Sequence, residues 1–294
     1  MLSDAYQIPS HSMRPSFFYR LRQSIDRLIP HLVLIFFTIL ALFPIVMIVV
    51  NSFKIKKAIF GQPFALPTDM TFSLIGYDTV FTRSNFQVNF VNSIIVTFLA
   101  LILTLWIGSM ASFALSEYSF KGGTWLALYL SIGIMIPIRL GTVGILHLMV
   151  SLNLVNTLVA LILVYIAQAL PLTVFILTQF MRQVPRDLKE AARIDGASEY
   201  QIYWMVVPLI RPALGAIGIF TMIPIWNDLW FPLILAPSAK TATITLGVQQ
   251  FLGQFVSDWN AVLSSLTLAM VPIIIFYLIF SQQMIRSITA GAIK

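Results

Sequence analysis

Six stretches of twenty or more residues, at about 31–50, 92–115, 125–150, 157–181, 209–235 and 261–285, are apolar almost without interruption. Crossing roughly 30 Å of hydrocarbon takes about 20 helical residues, so each stretch is long enough to span a bilayer. In lipid only α-helices and closed barrels satisfy their own backbone hydrogen bonds, and these runs lack the alternation of barrel strands. They therefore read as helices. Composition agrees, because 59% hydrophobic and 10% charged residues leave too little polar surface to solubilise a globule of 294 residues. The expected fold is all-α and polytopic: an amphipathic segment over 1–30, then a domain of six transmembrane helices over 31–294. Pro44, Pro137, Pro171, Pro224 and Pro272 lie inside the runs and predict kinks. The first run is longer than a signal-peptide core and shows no small-residue cleavage site, so it reads as a retained span.

Charge placement orients the bundle. With the N-terminus inside, twelve Lys and Arg residues fall in inner connectors, among them Arg14, Arg20, Arg22, Arg27, Lys121, Arg182 and Arg186. Five fall outside, namely Lys54, Lys56, Lys57, Arg83 and Lys240. Inner connectors carry the cationic excess, so both termini are expected in the cytoplasm. The net charge of +7 is explained by orientation and anionic lipid headgroups, and no nucleic-acid partner is expected. The chain has no cysteine, which excludes disulfides and thiolate chemistry. Trp106, Trp125 and Trp259, near span ends, read as interfacial anchors.

The largest inner connector, 182–208, carries start and stop signals for two short helices. Pro185 suits a first helical position, and Gly196 suits the left-handed residue just past a helix end. Ser198 with Gln201 forms a capping box for a second helix, which Pro208 limits. In the first helix Leu188, Ala191 and Ala192 make a small narrow face, flanked by Glu190, Arg193 and Asp195. Such a knob suits a groove on another protein. Periodicity alone equally allows an amphipathic helix resting on headgroups.

The residues of this loop carry a resemblance. Glu190-Ala191-Ala192-Arg193-Ile194-Asp195-Gly196 resembles the Glu-Ala-Ala signature of permease subunits of ATP-binding-cassette importers. Asn156-Thr157, Trp226-Asn227-Asp228, Phe231-Pro232-Leu233, Leu246-Gly247-Val248-Gln249-Gln250, Trp259, Pro272 and the tail from Thr289 to Lys294 are similar to the carbohydrate-uptake branch, the MalG-like second permeases. The resemblance implies a MalG/MetI-like permease fold in a bacterial cytoplasmic (inner) membrane. It also implies that the first loop helix is a coupling helix, with Glu190, Ala191, Ala192, Arg193, Asp195 and Gly196 seated in an ATPase subunit. It departs at one point: Pro208 falls twelve residues after Gly196, one short of the usual spacing. Further implications are a homologous second permease, an ATPase dimer that binds ATP and Mg, and a solute-binding protein met around Gln249, Gln250 and Gln254. The tail would reach between the ATPase subunits.

Ionisable groups inside spans are costly, by about 2.5–3.5 kcal/mol at a helix centre, so each should face a cavity or a partner. Arg139 and Asp228 qualify. With Gln168 and Asn227 they are expected to line a polar path, because a sugar hydroxyl stripped of water needs a replacement hydrogen bond. An unpaired Arg139 would favour an acidic saccharide. His11, His31 and His147 are dispersed and no His-Glu-x-x-His pattern occurs, so no metal site is expected. No phosphate-binding Gly-x-x-x-x-Gly-Lys-Ser/Thr loop occurs, so this chain is expected to carry no cofactor and to leave ATP hydrolysis to another subunit. An intramembrane enzyme would need a nucleophile and base in the spans, which are absent. A secondary transporter of a small polar solute is the alternative, although no inverted repeat is visible.

Overall fold

The computed structural model describes residues 17–252 and 257–292, with side chains over 28–252 and 257–279. The described residues form thirteen α-helices and two short 3-10 turns joined by irregular connectors, with two isolated β-bridges and no sheet among them. In chain order they are α1 Phe17–Ser52, α2 Lys56–Gly61, α3 Ile75–Arg83, α4 Phe86–Glu117, α5 Gly123–Met135, α6 Thr142–Ser151, α7 Leu158–Arg182, α8 Arg186–Ile194, α9 Glu199–Val206, α10 Arg211–Trp226, α11 Trp230–Leu235, α12 Ile244–Gln249 and α13 Trp259–Ala292. Five rods are long and apolar enough to cross a membrane: α1 from Leu28, α4, α7, the run from α9 through α10, and α13. The pair α5 and α6, bent by 90°, makes a sixth when counted as one broken span.

The centre of the bundle is the contact of α4 with α7. Gly108 permits it, because a Cβ there would lie 2.5 Å from Thr173 Cγ2. One turn on, the Ser112 hydroxyl donates to the Val174 carbonyl across the same seam. Small and hydroxylated side chains let helix backbones approach closely in lipid, where apolar burial alone gives no preference for protein over acyl chain. Val96, Ala100, Leu161 and Tyr165 extend this core towards α11.

The prolines behave unequally. Helices α1, α7, α10 and α13 run through Pro44, Pro171, Pro224 and Pro272. At Pro137 the helix stops. Ile136 is extended, at φ −86° and ψ 116°, as a residue before proline tends to be. A 3-10 turn over Ile138–Gly141 then restarts the chain in a new direction. The broken pair is peripheral: no residue of α5 is buried, and in α6 only Met149 is.

The apolar run 209–235 also divides. Helix α10 ends at Trp226, and α11 follows after Asn227, Asp228 and Leu229. At its other end α10 is preceded by a 3-10 turn, Val207–Ile210, that joins it to α9. Pro208 lies at the start of that turn, where a missing N–H leaves no intrahelical bond unmade.

The connector after α1 is held by a buried lysine. Lys54 is 1% exposed, and its ammonium donates to Asn51 Oδ1 and to the carbonyls of Gln62 and Pro63. Burial lowers its pKa from the usual lysine value. The segment between α11 and α13 is tied to α4, where Asn92 donates to the carbonyls of Lys240 and Ala242 and Ser93 accepts from the Ile244 N–H.

Candidate functional site: the connector helix and the polar break

The loop between α7 and α10 forms as two capped helices. At the end of α8 the Gly196 N–H donates to the Arg193 carbonyl and the Ala197 N–H to the Ala192 carbonyl. That pair of bonds is a Schellman cap, and Gly196 supplies its left-handed residue at φ +82°. Pro185 sits just before α8 rather than at its first position. The Ser198 hydroxyl accepts from the Gln201 N–H, and the Gln201 side chain accepts from the Ser198 N–H, completing the box.

An ion network fastens α8 to α4. Glu117, at the last turn of α4, pairs with Lys189 and, at 2.7 Å, with Arg193. Arg193 also meets Glu199 at 2.8 Å, and the Tyr118 hydroxyl donates to Glu199 at 2.6 Å. Lys189 and Glu117 are almost wholly desolvated, whereas Glu199 is 46% exposed. Hydrogen bonds to Glu199 and then Glu117 raise the Arg193 pKa further. Desolvation, helped by the bond to Glu199, pushes the Tyr118 phenol up to about 12. A second tie comes from α9, where Tyr203 shares a 2.8 Å hydrogen bond with Ser109 and packs edge-on to Phe113, both on α4.

The outward face of α8 follows from these ties. Lys189 is buried and Arg193 is turned into the network, while Ala192 packs against the core. Asp187, Glu190, Ala191 and Asp195 are exposed, with Leu188 and, at 86%, Ile194. The small face expected from spacing therefore shifts: Ala192 leaves it, Arg193 leaves its charged flank, and Ile194 joins it. Lys189 and Arg193, four apart, present two cations on one inward side, and that signal could have led to Glu117 at the end of the second apolar run.

Arg139 lies in the 3-10 turn at the break between α5 and α6. Its Nη2 is 3.3 Å from Asp228 Oδ1, so the two intramembrane charges are partners. Asp228 is a hub. It accepts from the Tyr165 hydroxyl at 2.9 Å and from the N–H groups of Trp230 and Phe231, which opens α11. Arg139 is 65% exposed along its side chain, so the pair is open on the arginine side. Its guanidinium carbon sits 6.0 Å from the Trp230 ring centre. Gln168 and Arg139 line one cleft of about 800 Å³ beside Pro137 and Pro171. Asn227 is exposed, but its amide donates back to Ile223, and it does not line that cleft. Gln249, the last residue of α12, and Gln250 just after it are exposed; α12 packs against the start of α4, where Gly247 meets Asn89, and α8 against its end at Glu117. Gln254 and the last two residues of the tail, 293–294, lie outside the described residues; 289–292 continue α13.

Residues 104–290 match the model of the binding-protein-dependent transport system inner membrane component family. The chain belongs to this family. Permease subunits of this class are multi-pass, non-catalytic components of ATP-binding-cassette importers in the inner membrane, and a partner chain hydrolyses ATP. The permease is 30% identical over 269 residues to the diacetylchitobiose uptake system permease protein NgcG of Streptomyces coelicolor, covering 90% of this chain and 88% of that protein. It is 31% identical over 265 residues to the trehalose/maltose transport system permease protein MalG of Thermococcus litoralis, covering 88% and 94%. Its fold resembles that of a chain from a bacterial transporter that imports the acidic polysaccharide alginate, with a TM-score of 0.76 at 21% identity over 89% of this chain and 97% of that one.

Proposed function

We propose that this permease moves a sugar or oligosaccharide, acidic ones included, from a binding protein on the outer side to the cytoplasm, with α8 as the lever gripped by a separate ATPase dimer. The assembly would also contain a homologous second permease, and both termini would be cytoplasmic. The observation that carries the reading is the set of ties from the loop to α4. A displacement of α8 reaches α4 through Glu117, Lys189 and Arg193, and through Tyr203, and reaches α7 through the tight α4 seam. A ligand that binds one conformation better biases the equilibrium by that difference alone, and ATP closing the motor is such a ligand.

The proposed path passes Arg139, Gln168, Asn227 and Asp228. Arg139 and Asp228 together are neutral, and the aromatic face of Trp230 beside them suits a pyranose ring. Gln249 and Gln250, with Gln254, are proposed to meet the binding protein. ATP and Mg would be held by the motor and not by this chain.

The test is reconstitution of the complex in proteoliposomes with its binding protein loaded in turn with neutral and uronic-acid saccharides. The reading expects ATP-dependent uptake and ATPase stimulation by at least one of them. Uptake driven by an ion gradient with this chain alone would instead establish a secondary transporter.

A further inference from the structure

We propose that the cleft between the α4–α5 turn and the end of α7 binds the phosphate headgroup of an anionic phospholipid. The cleft has a volume of about 640 Å³ and runs along the antiparallel α5 and α7. Its mouth carries Lys121 and Arg182 with Ser119, Thr124 and Gln179. Deeper, on the same two helices, the lining is mainly apolar, with Ala127, Leu130, Val174 and Phe175, and the Ser131 and Thr178 hydroxyls beside them donate back to the Ala127 and Val174 carbonyls of their own helices. Leu130 is six residues into α5 from Thr124, a depth of about 9 Å at 1.5 Å per residue, so polarity changes over the distance between a headgroup and its first methylenes.

The two cations are uncommitted. Among the described residues neither Lys121 nor Arg182 forms an ion pair or a side-chain hydrogen bond, in contrast to the neighbouring Lys189 and Arg193. A single anion between them, with the Thr124 hydroxyl and the Gln179 amide as further donors, satisfies the mouth, and one acyl chain fills the apolar end. A soluble phosphate satisfies the first and leaves the second empty, so a lipid is the better occupant. Placing the mouth in the cytoplasmic leaflet rests on the orientation proposed above.

The full chain in nanodiscs of mixed phosphatidylcholine and phosphatidylglycerol, released into mild detergent, would be analysed by native mass spectrometry for retained lipid. Phosphatidylglycerol is expected to be enriched about tenfold over the bulk ratio. The enrichment should vanish in Lys121→Gln/Arg182→Gln, and equally in Thr124→Glu, which places an acid in the first turn of α5, where the helix tolerates it. It should persist in Lys240→Gln on the outer side. Enrichment unchanged in both cleft variants overturns the proposal. So does its removal by inorganic phosphate, which would identify a soluble anion as the occupant. A separate readout guards the orientation: labelling of Lys121→Cys by an impermeant maleimide from outside would reverse the orientation while leaving the retention result intact.

Discussion

Glu117 is the residue on which the connector depends most. Breaking a buried ion pair by neutralising one side leaves the other charge desolvated and alone, a loss of about 3–5 kcal/mol for fully buried pairs. Arg193 is partly solvated and retains Glu199, so the smaller figure applies to Glu117→Gln. Amide exchange over residues 186–194 should accelerate in Glu117→Gln, and substrate-stimulated ATPase activity should fall more than basal activity. Arg139 invites a different test. Arg139→Gln leaves the Asp228 carboxylate without its cation, and a like charge then opposes a uronic acid but not a neutral sugar. Uptake of an acidic oligosaccharide is expected to fall about tenfold more than that of a neutral one; equal losses would show that Arg139 only positions Asp228. The sequence marked both intramembrane charges because lone ionisable groups in apolar runs are conspicuous. It allowed their pairing without requiring it, since 139 and 228 meet through the break at Pro137 and the turn after Trp226.

Local signals specify local elements, and the loop helices show it. Ser198 with Gln201 and Gly196 each act within a few residues, so cap and box are legible before any tertiary contact exists. A Cβ at Gly196 would meet nothing within 4 Å, which leaves backbone conformation as the whole cost of replacing it. Gly196→Ala should lower loop stability by about 1–2 kcal/mol, read from exchange protection of α8, without disturbing α4 or α7. Pro137 was not separable from Pro171 by sequence. The difference is tertiary, because α7 is packed along α4 with buried residues on both sides of Pro171, whereas no residue of α5 is buried and the chain after Met135 is free to turn. Pro137→Ala restores the N–H that a continuous helix needs. It is expected to straighten the pair, withdraw Arg139 from Asp228 and reduce uptake about tenfold or more; uptake at the parent level would show that the break is dispensable.

At the scale of the whole chain, bundle and site come from different kinds of information. Apolar length made the membrane fold legible, whereas the outward face of α8 emerged only once Lys189 and Arg193 were seen turned towards Glu117. The unburied flank of α5 and the apolar length of α1 are surfaces for lipid or for other subunits, and membership of the importer permease family makes the chain one part of an assembly. Central to the account is that α8 is gripped by the ATPase, and the absence of native cysteine makes this directly measurable. With Ile194→Cys as the single thiol, maleimide labelling would be compared in the permease alone and in the transport-competent complex. Strong protection on assembly, modulated by ATP, is the predicted result; equal labelling in a complex that still transports would contradict it.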